Sequence, residues 1–423
     1  MGDQKAKGLP VRLYVYSVLI FALTASPQDK PKLDLHGDRF PGLTYEQLTP
    51  AQRPISDRAL SGRGTIGIFN ITLRSPELSQ AMRGISGGRA EPLLSNRQNE
   101  LAILSTARFW TTQYEWAVHH RVAAQAGVTE DTISAIREGR RPTTLQPDEA
   151  AIYNFLTELL NTKQVSDGAF QALKEQLGEK RIVDLIALVG FYQTVSLMMN
   201  VDRFPLSGNQ KPELEAIAKP LPLASAVSFT TSNSARFTPL RSEEMTERQK
   251  ALFDLVESGK LEGGTAGPLK VLLRSPELGE AILRYGAYER FHMPLSARLR
   301  ELVALITMRA WSSQYLWYEH RRAASQAGLN DALINTIAEG KRPAGLGLDE
   351  DAVYNFCAEL LRTTQVTDAT FNAAKRQLGE RGVVEIMGEI GYYQTVAMLL
   401  NVDRYPLPGG IAPELKQLAN PIP

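Results

Sequence analysis

Apolar residues recur at helical spacing through most of the chain. Leu101, Leu104, Ala107 and Arg108 share a face, with Ile103 and Phe109 beside it. Ser95 stands ahead of this run as an N-cap. Thr111-Thr112 opens a second helix that runs to Ala126, where Gly127 stops it. Further helices are predicted near 130–138, 148–161, 168–177 and 179–199, with Gly139 and Pro142 punctuating them, as Gly340 and Pro343 do later on. No segment alternates β-branched residues between hairpin turns, so the pattern predicts an all-α fold.

This pattern is written twice. LRSPEL occurs at 73–78 and 273–278, FWTTQYEWAVHHR (109–121) answers AWSSQYLWYEHRR (310–322), and NVDRFPL (200–206) answers NVDRYPL (401–407). The offset is 200 at LRSPEL and 201 from residue 101 onward, so one residue was gained or lost between 79 and 99. Two tandem helical domains are expected, at 39–222 and 236–423, opened by Arg39-Phe40 and Arg236-Phe237. The small and polar run at 223–235 reads as the linker.

Residues 1–26 break the pattern. Lys5, Lys7 and Arg12 give a basic start, Leu13 to Ala25 carry no charge, and Thr24-Ala25-Ser26 are small. That order reads as a secretory signal peptide, and the apolar run is shorter than the ~20 residues of a spanning helix. The chain is therefore expected to be exported, periplasmic or extracellular, or cytoplasmic if the start is misassigned. No later stretch reads as apolar enough to span a membrane, so no stable membrane insertion of the mature chain is expected. With 47 basic and 46 acidic residues the net charge is +1, which excludes a strong field for nucleic acid. A single cysteine, Cys357, excludes an internal disulfide, a CxxC pair and a multi-cysteine metal site. It stands where the first copy has Leu156, inside an apolar helix, and reads as a small buried hydrophobe.

Catalysis by imidazole must draw on His36, His119, His120, His292 or His320. His119 and His320 occupy equivalent positions in the repeated helix pair, which also holds all four tryptophans, Trp110, Trp116, Trp311 and Trp317. Thr112, Glu115 and His119 fall on one helical face, and Glu100 on the preceding helix can fold back beside them. A carboxylate and an imidazole held together in an aromatic pocket can act as an acid/base pair. Plainer readings compete. Thr112-x-x-Glu115 is also a capping box, His119 can be a hydrogen-bonded core histidine, and the tryptophans can be core. His120 is expected to be solvated.

ELAILSTARFWTTQYEWAVHHRVAAQAG (100–127) and RLRELVALITMRAWSSQYLWYEHRRAASQAG (298–328) resemble the carboxymuconolactone decarboxylase family, within the alkylhydroperoxidase D-like superfamily. The peroxidase branch spaces its motif E-x11-C-x2-C-x3-H. Here that spacing gives Glu100, Thr112, Glu115 and His119, then Glu301, Ser313, Leu316 and His320, with both cysteines missing from both copies. Thiol peroxidase chemistry needs those thiols. The resemblance instead implies a cysteine-free, decarboxylase-like enzyme on a small carboxylated or lactone substrate. Glu100, Glu115, His119, Glu301 and His320 would be its catalytic residues. Tyr114, Trp116, Arg108, Tyr315, Trp317 and Arg309 would bind substrate, the arginines (with Arg121 and Arg322) as carboxylate clamps or else as surface charges. In the second copy Leu316 replaces a Glu, and Glu319 faces another way. No cofactor or metal is implied by any ligand spacing. Family resemblance also implies a homo-oligomer, a trimer of tandem units. The alternatives are an exported binding or scaffold protein that kept the pocket and lost the chemistry, and a peroxidase using a single thiol.

Overall fold

The computed structural model describes residues 36–58, 66–86, 94–217, 221–223, 235–261 and 266–418. The signal-like residues 1–26 and almost all of the 223–235 segment lie outside the described residues. The first half forms α1 (Arg53–Arg58), α2 (Ile66–Thr72), α3 (Pro76–Ser86), α4 (Asn96–Trp110), α5 (Gln113–Gln125), α6 (Glu130–Arg137), α7 (Pro147–Thr162) and α8 (Asp167–Asp202). The second half forms α9 (Glu247–Glu257), α10 (Ala266–Leu272), α11 (Pro276–Ala287), α12 (Ala297–Trp311), α13 (Gln314–Gln326), α14 (Asp331–Ala338), α15 (Leu348–Thr363) and α16 (Asp368–Asp403). A π-helical turn, Tyr288–His292, joins α11 to α12. Among the described residues there is no strand, and the fold is all-α.

Local chemistry sets the helix ends. Ser95 caps α4 and forms a reciprocal capping box with Gln98. Gly127, with φ of 91°, follows α5, and Gly139 follows α6. Gly178 and Gly379 take φ of 78° and 70° inside α8 and α16, so each long helix is broken there. Beyond the break both helices are almost wholly buried.

The long helices cross at glycines. A Cβ on Gly190 would lie 2.2 Å from Thr395 Oγ1, and one on Gly391 would lie 2.1 Å from Thr194 Oγ1. The backbones thus approach more closely than any side chain at those points would allow. By length and apolarity α8 could cross a membrane, contrary to the sequence expectation, but 83% of its apolar window is buried in this fold. It is the central helix of a core that runs through both halves.

The segment opening each half reaches across to the other. Arg39 donates to Val201 O (2.9 Å) in its own half and to Val366 O (2.7 Å) and Asp368 Oδ1 (2.8 Å) at the start of α16. Arg236 repeats this with Val402 O (2.9 Å), Val165 O (2.7 Å) and Asp167 Oδ1 (2.7 Å). Next to each arginine, Phe40 packs edge-on against Phe371 and Phe237 against Phe170.

Candidate active site

The site depends on how sharply α4 turns into α5. Thr111 ends α4 in the left-handed conformation at φ of 52°, and Ser312 does the same after α12 at 47°. A β-branched residue is an outlier there, so the turn is held by its surroundings. It folds α5 back along α4, which brings His119 opposite Glu100.

His119 sits between two carboxylates. Its Nδ1 lies 2.8 Å from Glu100 Oε2, a short charge-assisted hydrogen bond. Its Nε2 lies 3.5 Å from Glu115 Oε2, within ion-pair range but long for a hydrogen bond. All three residues are buried, at 8%, 8% and 6% exposure for Glu100, His119 and Glu115. The Tyr192 ring stands edge-on to the imidazole at 5.1 Å. Burial opposes the imidazolium, but the Glu100 hydrogen bond and the charges of Glu115 and Glu100 outweigh it, so His119 titrates above its usual 6.5. Burial pushes the Glu115 carboxyl upward as well; His119 opposes this and Glu100 adds to it. Burial, with the two carboxylates, also raises the Tyr192 hydroxyl, which stays neutral. The cluster can therefore hold a proton on a desolvated imidazole, fixed on one side by Glu100 and facing a second carboxyl on the other.

Glu115 is not a cap. Thr112 is the N-cap residue of α5, yet its hydroxyl is buried and bonds nothing. Thr112 instead lines a cleft of about 450 Å³ together with Tyr114, Asn200, Phe204 and, from the other half, Gln365. The second half repeats this cleft at about 370 Å³, around Ser313, Tyr315, Asn401, Tyr405 and Gln164. Tyr114 meets Phe204 edge to face at 4.6 Å and Tyr315 meets Tyr405 likewise at 4.4 Å, and all four rings line these clefts.

Trp116 and Trp317 are fully buried core residues, and Trp116 Nε1 donates to Glu213 Oε2 at 3.0 Å. His120 bonds the same carboxylate at 3.0 Å and is only half-buried. Arg108 and Arg309 are not surface charges. Arg108 is wholly buried and donates to Glu215 O, and Arg309 is 1% exposed and donates to Lys416 O at 2.8 Å. They fasten the chain that follows each long helix, and burial lowers both guanidinium pKa values. Arg121 and Arg322 are exposed.

In the second half, His320 Nδ1 lies 2.9 Å from Glu301 Oε2 and its ring stands 4.9 Å from Tyr393. Leu316 is buried where Glu115 stands in the first half, and Glu319 is exposed. Sequence reasoning missed Tyr192 and Tyr393, although the recurrence of YQTV at 192–195 and 393–396 marks them. Cys357 is wholly buried, and burial raises its thiol well above the ordinary range, with Glu389 adding to this. Among the described residues no group of three or more His, Cys, Asp or Glu is arranged to hold a metal ion.

Comparison with curated proteins and with solved structures gave no match. Residues 76–158, which carry Glu100, Glu115 and His119, match the model of the Carboxymuconolactone decarboxylase family, and this part of the chain is similar to that family.

Proposed function

We infer that the first half is a cysteine-free acid/base site of the carboxymuconolactone decarboxylase type, acting on a small carboxylated or lactone substrate, in a chain built as a tandem duplicate. The observation that carries this reading is the buried imidazole of His119 between Glu100 and Glu115. His119 moves the proton, Glu100 holds the ring's tautomer and supports the imidazolium, and Glu115 is the second proton-accepting group. The cleft at Thr112 starts one helical turn before Glu115 and has room for a small molecule, but Glu100, Glu115 and His119 are not among the residues that line it. A thiol peroxidase reading lacks an accessible thiolate, because Cys357 is enclosed in the core. Export and assembly as a trimer of tandem units belong to the same reading; N-terminal sequencing of secreted protein and light scattering test them.

The decisive experiment is His119→Ala, assayed for carbon dioxide release from a panel of small carboxylated lactones. A positioned acid/base contributes about a hundred- to ten-thousand-fold, so turnover should fall at least about a hundred-fold while the melting temperature stays near that of the parent. Unchanged turnover, or a loss explained by unfolding, would refute the catalytic role of His119.

A further inference from the structure

The second-half cleft opens at the N-terminus of α13. Ser313 is the N-cap residue there and lines the cleft; it is 1% exposed, yet its hydroxyl caps nothing and has no hydrogen-bond partner. A buried hydroxyl left unpaired is costly, and a ligand atom beside it removes that cost. The first N–H groups of a helix point outward and favour an anion. The remaining walls suit a flat apolar body, with Tyr315 and Tyr405 edge to face and Pro406 and Ile411 beside them. A volume of about 370 Å³ is that of a small-molecule site. Gln164 comes from the first half, so the cleft is complete only where both halves meet.

The two clefts differ in charge. Arg404 lines the second, its side chain 14% exposed, and it shares Asp167 Oδ1 with Arg236, at 2.6 and 2.7 Å. In the first half the matching Arg203 and Arg39 have two carboxylates. Both reach Asp368, and Arg203 also pairs with Asp38 at 2.7 Å. The counterpart of Asp38 is Ala235. Lys270 Nζ lies 2.6 Å from Asp403 Oδ2 and 4.9 Å from the centre of the Tyr405 ring; Asn70 holds that place in the first half. Lys163, next to Gln164, stands over the Trp311 ring at 4.7 Å, and its counterpart is Thr364. Leu316 in place of Glu115 removes an acid. Each of these exchanges makes the second cleft more positive than the first. Glu319, where the first half has Val118, runs the other way, but it is exposed and its charge acts on the Tyr315 hydroxyl. The place for an anion is therefore the end formed by Ser313 and Arg404.

We propose that the second-half cleft is a binding site for a small aromatic carboxylate. The carboxylate accepts from the Ser313 hydroxyl and the first N–H groups of α13, next to Arg404, and the ring lies against Tyr315 and Tyr405. The site is separate from the buried His320–Glu301 pair, neither of which lines the cleft, and it does not depend on the catalytic reading of the first half.

The test is titration calorimetry of the full chain with benzoate, and with benzamide, which has the same ring and no charge. Benzoate should bind at least about ten-fold more tightly. A hydrogen bond to a charged group is worth about ten-fold or more in affinity, so Ser313→Ala should weaken benzoate binding by that factor. The hydroxyl bonds nothing in the fold, so the melting temperature should not fall. Thr112→Val, the matching loss in the first half, should leave benzoate binding unchanged. Ala235→Asp gives Arg236 and Arg404 the second carboxylate that Asp38 supplies in the first half, and it should weaken the binding of benzoate but not of benzamide. No benzoate binding, or binding no tighter than that of benzamide, overturns the proposal. So does benzoate binding indifferent to both Ser313→Ala and Ala235→Asp. Loss in Thr112→Val instead of Ser313→Ala would put the ligand in the first cleft and overturn the assignment to the second.

Discussion

Removing the Glu100 hydrogen bond would leave a buried imidazole facing one carboxylate instead of two. The sign of the result follows from the raised folded-state pKa of His119. Stability from such a group is fully present below its unfolded value near 6.5 and is lost as pH rises through the folded value. Glu100→Gln should therefore lower the melting temperature most below about pH 6.5, with the gap closing at higher pH. A gap independent of pH would show that the bond does not favour the charged ring. Glu115→Gln should leave α5 intact, since the cap it would disturb is not made, and should lower the His119 pKa in an NMR titration. An unchanged His119 titration would place Glu115 outside the electrostatics of the site. The face shared by Glu115 and His119 was readable from local spacing, and so was the return of Glu100. The fate of Arg108 was not, because its partner carbonyl at Glu215 lies 107 residues away and nothing in the local pattern points to it.

At the scale of the helix, glycines with a positive φ and glycines at crossings act differently. Gly178 ends one helical run and starts another, and its place between the expected helices 168–177 and 179–199 made the break legible. Gly190 and Gly391 sit inside uninterrupted helix, where a glycine reads only as a weak point. Their reason is the opposing helix, which local pattern cannot reveal. Gly391→Ala gains up to about 1 kcal/mol of helix propensity. Against this, overpacking onto Thr194 costs about 1–3 kcal/mol, so the variant should unfold at lower denaturant. Gly168→Ala, whose Cβ would meet only Ser166 Oγ at 4.0 Å, should instead stabilise by about 0.4–1 kcal/mol. Equal effects at the two positions would remove the close crossing as an explanation.

Across the whole molecule, the shared core and the crossed arginines make each half part of the other's boundary. The chain should therefore unfold in one calorimetric transition, and two separate transitions would contradict the shared core. Arg39→Ala strips a buried donor from Val201 O and Val366 O. It should cost about 1–3 kcal/mol in chemical denaturation, with Arg236→Ala behaving alike. The all-helical class was plain from periodicity. The opening Arg-Phe pairs were visible as repeat markers, but not as cross-braces, because their partners belong to the other copy.

The crossed arginines also change what dilution can do. Two separate chains braced in this way would be partners in equilibrium, parting as their concentration fell. Joined in one backbone, each half meets the other at a local concentration set by the chain itself rather than by the amount of protein. Their pairing is therefore insensitive to how much protein is present, from a crowded compartment to a dilute medium. A single cut between residues 223 and 235 would return it to mass action, and the two fragments would then hold together only above their own dissociation constant.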